Sequence, residues 1–340
     1  MRIPILIPMY GVGHMVAHTV HKLLKHKGKH QIDIVIIDNK GEIDDFKFLE
    51  PFEGNGITVV KYPKNLMQSH SLAFDYVLNA GLIKSSHFIT LESDSFPQQD
   101  NWLDHYEDLI NWGYDMAGSK LLLSGGEYIH PCGCLYSVSL WQEAKKYCDS
   151  LQYRYLPNMG MKEDFACHLM IHKSIFNEVI ASPEDYIVLA DGYKPYHPDI
   201  PLTKEIEYKP VVGPFHNGMG KTDESIHTYG MRSLAGAEDV ILDNKLKLIH
   251  RIGYEPGQWL SYYAKAMNKK IFEIPTETKW LNNKPGVQQE YTIMENGFKH
   301  LWAGTSYLFM KDTASHDIYE FKHKQVSDLY DSLPEHLKIK

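Results

Sequence analysis

The chain has 340 residues, room for two domains or for one large α/β unit. It is 43% hydrophobic and 23% charged, the balance of a globular protein with a sizeable core. Its 35 Lys and Arg against 43 Asp and Glu leave a formal charge of −8, which argues against a general phosphate-backbone binder while leaving room for a local basic site.

The cysteines, Cys132, Cys134, Cys148 and Cys167, are too few for a disulfide framework and lack a zinc-type double CxxC spacing. Reduced thiols in a cytosol-like compartment are the expectation. The apolar run of MRIPILIPMYG is too short for a signal peptide, and no stretch approaches the roughly 20 apolar residues of a membrane span. A soluble, cytoplasmic protein is expected, with any membrane contact peripheral.

Ile3–Pro8 reads as a strand closed by proline. Gly13–His26 carries Met15, Val16, Val20, Leu23 and Leu24 on a helical period and stops at Gly28. Ile32–Ile37 is a nearly continuous apolar run, the pattern of a strand buried on both faces, and Asp38-Asn39 turns it. Ile57–Lys61 is a further strand, Ser69–Ala80 an amphipathic helix ending at Gly81, and His87–Leu91 a strand followed by Glu92-Ser93-Asp94-Ser95-Phe96-Pro97. This alternation predicts a mostly parallel sheet with helices on both faces. Ligands on such sheets bind beyond the carboxyl ends of the strands, here at Pro8–Tyr10, Asp38-Asn39 and Glu92–Asp94.

Further on, Trp102–Trp112 is helical, Met116–Leu123 strand-like, and His130–Ser139 a strand leading into a helix at Leu140–Cys148. Glu163–Ile171 reads as a short helix. Residues 182–232, rich in Pro, Gly, Tyr and His, read as a long loop or lid. Gly257–Met267 is a helix, Lys270–Ile274 a strand, Asn296–Tyr307 holds another short strand, and His316–Leu333 is a polar helix docking as a tail. The expected division is a first half over 1–125, a second half over 126–310 and a helical tail over 311–340.

Two kinds of chemistry compete for the first half. Gly11-Val12-Gly13-His14-Met15-Val16 between a strand and a helix, with Asp38 ending the next strand, approaches a dinucleotide fingerprint and would make an NAD(P)-dependent oxidoreductase. Against it, Val16 takes the third glycine position and Pro8 stiffens the turn. The other kind rests on Glu92-Ser93-Asp94, two carboxylates leaving a buried strand. Mg²⁺ or Mn²⁺ is commonly held by one or two such groups together with a substrate diphosphate.

Taken in order, IPILIPMYG, IDIVIIDN, ITVVKYPKN, SLAFDYVLNAG, HFITLESDSFP and NWL resemble the nucleotide-binding half of the GT-A glycosyltransferases, especially the family 2-like group, over about the first 140 residues. The family's D-x-D is here Glu92-Ser93-Asp94, and Gly11 stands where an Asn is usual after the tyrosine. The resemblance implies a GT-A-like α/β sheet with a loop-rich acceptor half. It also implies a nucleotide-diphosphate sugar as donor, a glycan or other hydroxyl as acceptor and a divalent metal, Mn²⁺ or Mg²⁺. Nucleic acid is disfavoured as a partner by the acidic charge.

Among the residues, the resemblance implies that Pro8, Tyr10, Asp38, Asn65, Glu92, Ser93 and Asp94 line the nucleotide sugar, and that Asp94 ligates the metal. An inverting transfer also needs a base for the acceptor hydroxyl. The family's E-D pair corresponds to Glu163-Asp164, making Asp164 the expected base. Glu255 is the alternative, and Glu238-Asp239 is a second E-D. His300, in GFKHLWAGTS, looks like the family's late metal-binding histidine. His216, with Lys221 nearby, is its competitor. A nucleotide-sugar-binding protein without turnover is a further alternative.

Other features read more plainly. His14, His18 and His21 share a helical face with Lys22 and Lys25, expected to be solvated. Cys132 and Cys134 are expected to be buried and inert. Trp141, Trp259, Trp280 and Trp302 are candidates for a sugar platform, with core packing the plainer expectation.

Overall fold

The computed structural model describes residues 1–38, 43–61, 70–123, 126–155, 173–174, 240–242, 246–249, 252–253, 257–283, 289–302 and 316–339. They divide into two compact units. The first comprises Met1–Ser119, Pro131–Val138 and Phe272–Lys340, and the second Lys120–His130 and Ser139–Ile271.

The first unit is built on a seven-stranded sheet. Its strands are β1 (Arg2–Met9), β2 (Gln31–Asp38), β3 (Ile57–Lys61), β4 (His87–Thr90), β6 (Met116–Leu123), β8 (Cys134–Ser137) and β13 (Ile271–Ile274), in the order β13-β6-β8-β4-β1-β2-β3. β1 runs parallel to β2 and β4, and β2 runs parallel to β3. β8 is antiparallel to both β4 and β6. Helices α1 (Gly13–His26), α2 (His70–Asn79) and α3 (Trp102–Asn111) follow strands, as the alternating pattern requires.

β1 sits at the centre and is buried along almost its whole length, which explains its continuous apolar sequence. It also contains two prolines, an unusual content for a central strand. The Leu6 carbonyl accepts from Leu91 N–H at 2.9 Å, on the β4 side. Alternate residues of a strand point their backbone groups to the same side, so Pro4 and Pro8 also face β4 and offer it no donor. The β1–β2 ladder accordingly runs over eight residues, while the β1–β4 ladder is confined to Ile5 and Leu6. The chain leaves β1 towards β2 and β3, then returns to β4 on the other flank. This is the switch point, and on its carboxyl side Pro8 offers β4 no donor.

A second, four-stranded antiparallel sheet lies in the same unit. It has the order β14 (Thr276–Trp280), β15 (Gln289–Met294), β16 (Phe298–His300) and β5 (Ser95–Pro97). The sequence pattern shows β16 but not β14, β15 or β5. Their residues alternate weakly, and β14 is mostly exposed. The second unit holds β7 (Gly126–Ile129), most of α4 (Val138–Tyr155) and α5 (Gln258–Ala266). Ser261 Oγ there accepts from Ile129 N–H at 3.0 Å and donates to the Gly257 carbonyl at 2.9 Å.

The expected solvated basic face of α1 is corrected by the fold. His18 is 2% exposed and meets Phe96 edge-on at 4.6 Å, while His14 lies between Phe48 and Tyr330. His18 and His14 are covered because β5 and the C-terminal helix α6 (His316–Asp331), the tail helix read from the sequence, pack on α1, while Lys25 stays exposed as expected. Burial, with the Lys22 and His21 charges adding to it, pushes the His18 pKa down to about 3. The unfolded chain takes up this proton near pH 6.5, while the folded chain stays neutral to about pH 3. Stability therefore falls as pH drops through that window. Between pH 6.5 and 4.5 the native chain is expected to lose about 2–3 kcal/mol more than His18→Leu, measured by urea unfolding at each pH.

The turn Pro131–Gly133 joins the two units' segments to β8 and is fixed on the end of β4. Gly133 N–H donates to the Thr90 carbonyl at 2.9 Å, and Thr90 Oγ1 donates to the Pro131 carbonyl at 2.6 Å. Gly133 has φ +69°, and a Cβ there would stand 2.7 Å from Met294 Cε and 2.9 Å from Phe298 Cδ1. Gly133→Ala is expected to cost about 2–4 kcal/mol, from backbone strain and overpacking together, read as a lowered urea midpoint.

Candidate metal and nucleotide site

The parallel ladder sets the first part of the site. Met9 pairs with Asp38, so the ends of β1 and β2 lie side by side. Pro8 is buried, Tyr10 is half-buried in the bend after β1, and Asp38 is 1% exposed at the end of β2. Glu92, Ser93 and Asp94 follow β4 across the switch point.

Their backbone is pinned on every side. Leu91 N–H reaches Leu6 across the sheet, and Ser95 N–H donates back to the Glu92 carbonyl at 3.2 Å. Thr19 Oγ1, on α1, donates to the Ser93 carbonyl at 2.8 Å. Leu301 N–H donates to the Asp94 carbonyl at 3.3 Å. The carboxylates thus leave a rigid turn rather than a solvated acidic loop.

β16 delivers the third group. Its pairing with β5 sets His300 opposite Ser95, one residue after Asp94. His300 Nε2 lies 3.1 Å from Glu92 Oε2 and 3.5 Å from Asp94 Oδ1. The side chains of Asp94 and His300 are 0% and 5% exposed, and that of Glu92 is 18% exposed. The open side of the cluster is therefore at Glu92. Burial lowers the His300 imidazole, but Cys132 and Asp94 raise it by more, so its pKa stands well above the usual histidine value. Burial pushes the Cys132 thiol pKa up, while His300 beside it pulls the other way.

Glu92, Asp94 and His300 offer ligand atoms all within 4.8 Å of one another. Two carboxylate oxygens and one imidazole nitrogen form a donor set for a divalent cation. A second group, His30, Asp104 and Glu107, meets the same distance criterion, but Lys29 already bridges its carboxylates at 3.0 and 3.5 Å.

Two further residues lie near the site, Lys322, which has no sequence signal, and Trp302, one of the platform candidates. Lys322, on α6, is 0% exposed and donates to the carbonyls of Leu301 at 2.6 Å and Gln289 at 2.9 Å, and to Gln325 Oε1 at 3.2 Å. Burial lowers its pKa to about 8, against the opposing pull of Asp94 and Glu290. A lysine on a polar helix gives no hint of this, because the acceptors come from other strands. Trp302 stands 4.2 Å from His300, ring to ring, with its Nε1–H donating to Thr292 Oγ1 at 2.7 Å. Its φ of +56° is rare for a bulky residue. Of the other tryptophans, Trp141 is 5% exposed and Trp280 lies in β14. The side chain of Trp259 lies outside the described residues, as do Asn65, Asp164, His216, Lys221, Glu238, Asp239, Glu255, the Glu163–Ile171 segment and residues 182–232.

No protein-family model matches the chain, and no curated protein matches it in sequence. Among solved structures, the S. aureus TarS fragment 1–349 in complex with UDP-GlcNAc is similar, with a TM-score of 0.35 and 12% identity over 42% of this chain and 47% of that one. The mannosyltransferase PcManGT from Pyrobaculum calidifontis, in complex with GDP-Man and Mn²⁺, gives 0.35 and 9% over 42% and 46%. The bifunctional WbbM apo structure gives 0.33 and 13% over 42% and 32%. The chain spans less than half the length of each of these three. Likeness at this level says nothing about chemistry, which has to be read from the site's own residues. What the fold itself defines is an α/β protein with a mostly parallel seven-stranded sheet flanked by helices. No helix among the described residues is long and apolar enough to cross a membrane.

Proposed function

We propose that this chain is a GT-A-type glycosyltransferase that moves a sugar, a hexose in the simplest case, from a nucleotide-diphosphate sugar to an acceptor hydroxyl with inversion. The observation that carries this reading is the convergence of Glu92, Asp94 and His300 within 4.8 Å, beyond the carboxyl end of β4 at the switch point. A helix-capping acidic turn would not bring in a buried histidine from another sheet.

The donor lies along the carboxyl ends of β1, β2 and β4. Asp38 accepts from the base, Pro8, Tyr10 and Asn65 flank the nucleoside, and Ser93 lies between the two acids. Asp94 and His300 hold a divalent cation, Mn²⁺ or Mg²⁺, with Glu92 at the open rim. Such an ion supplies Lewis-acid neutralisation of the departing diphosphate. The pinned backbone of 91–95 keeps these groups in place before the donor arrives, so little reorganisation is needed when the glycosidic bond breaks. Asp164 takes the proton of the acceptor hydroxyl, with Glu255 as the alternative base. A cytoplasmic location, a glycan acceptor and peripheral membrane contact belong to the same proposal.

The test is a melting screen of UDP- and GDP-sugars with and without Mn²⁺, followed by donor hydrolysis in water. A melting shift for one nucleotide class that requires Mn²⁺, with slow hydrolysis of that donor, is expected. Failure of every nucleotide sugar to shift melting in the presence of Mn²⁺ overturns the reading.

A further inference from the structure

Strand β3 ends the seven-stranded sheet, and among the described residues no strand pairs with its outer side. Its sequence, Ile57-Thr58-Val59-Val60-Lys61, is β-branched up to the final lysine, yet Val59 at its middle is 39% exposed. Sheet edges are usually blunted by a bulge, a proline or a central charge, because their open backbone groups recruit other strands. β3 has none of these between Ile57 and Val60. The Gly56 carbonyl accepts from Ile34 N–H at 3.0 Å and so faces β2. Alternation then turns the N–H and C=O groups of Thr58 and Val60 towards β2, and those of Ile57, Val59 and Lys61 outward. The side chains of Ile57, Val59 and Lys61 share one face of the strand. There they line a groove of about 590 Å³ together with Glu50 and Glu53, from the 3₁₀ segment Ile43–Phe52 and the turn after it. Lys61 Nζ lies 5.2 Å from the centre of the Phe46 ring, and among the described residues neither it nor Glu50 nor Glu53 has an ionic partner.

We infer that the outer edge of β3 is the interface of a two-fold dimer, in which β3 of a second copy of this chain adds antiparallel and makes the two sheets continuous. Centring the pair on Val59 sets Val59 against Val59, and Ile57 against Lys61 in both directions. All of these residues turn their backbone groups outward, so each opposed pair exchanges both N–H to C=O bonds and every open group of the edge is used. Opposed side chains lie on the same face, so the two grooves join. Lys61 of one copy then reaches across Ile57 of the other towards its Glu50 and Glu53, and the two-fold axis repeats the contact. The groove carries its acids at the Ile57 end and its cation at the other. An antiparallel copy complements that order, whereas a parallel one sets lysine beside lysine. The contact uses one short strand from each copy, so a weak, concentration-dependent dimer is expected. The pairing holds whether or not the chain is a transferase.

The experiment is sedimentation velocity of the full chain from about 1 to 200 µM, read together with hydrogen exchange at the Ile57, Val59 and Lys61 amides. A rise from monomer to dimer is expected across that range, with those amides protected only in the dimer. Val59→Pro removes an outward N–H and spares the ladder to β2, and Val59→Lys sets two like charges on the two-fold axis. Each should raise the dimer dissociation constant by at least about tenfold. Should the proline variant fail to fold, the lysine variant decides. Lys61→Glu and Glu53→Lys should each weaken self-association, and an equimolar mixture of the two should restore it, because every mixed dimer regains opposite charges at both ends. A monomer at every concentration overturns the dimer, whether its edge amides exchange freely or are already protected. A dimer that survives both Val59 variants overturns the β3 edge as its interface. Failure of the mixture to restore association overturns the antiparallel arrangement.

Discussion

Asp94→Asn is expected to remove Mn²⁺ binding and to slow donor hydrolysis by about 100- to 1,000-fold, equivalent to about 3–4 kcal/mol of lost transition-state stabilisation. The effect should be large because Asp94 is the most deeply buried acid of the cluster, at 0% exposure, so water cannot replace its charge. The replacement is nearly isosteric, and the hydrogen bond from Leu301 N–H goes to the backbone carbonyl, so the turn should keep its shape. Neutralising one partner of the buried Asp94–His300 pair should also lower stability without metal, and the Mn²⁺-dependent melting shift should disappear. Glu92→Gln should lose less, because that side chain is at the solvated rim. Isothermal titration with Mn²⁺ and hydrolysis rates on the same samples decide the matter. Unchanged manganese uptake and turnover in Asp94→Asn would falsify the proposed site.

Lys322→Met is expected to destabilise the first unit by about 2–5 kcal/mol. The ammonium satisfies two buried carbonyls, and each buried acceptor left without a donor costs about 1–3 kcal/mol. Methionine matches the length of the stem but donates nothing. Lys324→Met, two residues away, is the control. Lys324 is 75% exposed and pairs with Asp328 at 2.8 Å one helical turn on, so its loss should move stability by less than about 1 kcal/mol. Urea midpoints of the two variants give the comparison. The consequence reaches the site, because Lys322 holds the carbonyl of Leu301 while the amide of Leu301 holds Asp94. Mn²⁺ affinity should therefore fall in Lys322→Met and not in Lys324→Met.

Much of the fold is legible in the residues. The alternation of apolar strands with amphipathic helices up to Trp112 gives β1, α1, β2, β3, α2, β4 and α3 within a residue or two of their observed bounds. These elements carry strong local signals: continuous β-branched runs, a 3.6-residue period, and Gly or Pro at their ends. The carboxyl-edge residues Tyr10, Asp38, Glu92 and Asp94 follow from that pattern alone, because parallel strands place their ends together. Pro8 is legible as closing β1. That Pro4 and Pro8 point towards β4, and so open the switch point, is not.

The chain's own order thus determined the parallel half-sheet and the pair of acids at its edge, because its elements carry strong local signals and alternating strands and helices can connect in few ways. The resemblance pointed to His300 beside Asp94, but tertiary structure alone decided how His300 reaches those acids, that Cys132 lies near the same imidazole, and that Lys322 is buried rather than solvated on a polar helix. Each of these depends on pairing across a long stretch of chain, β5 with β16, β4 with β8, and α6 with the carbonyls of Gln289 and Leu301. Such pairings are set by which surfaces fit once the core has formed. A side chain's residue type does not encode them.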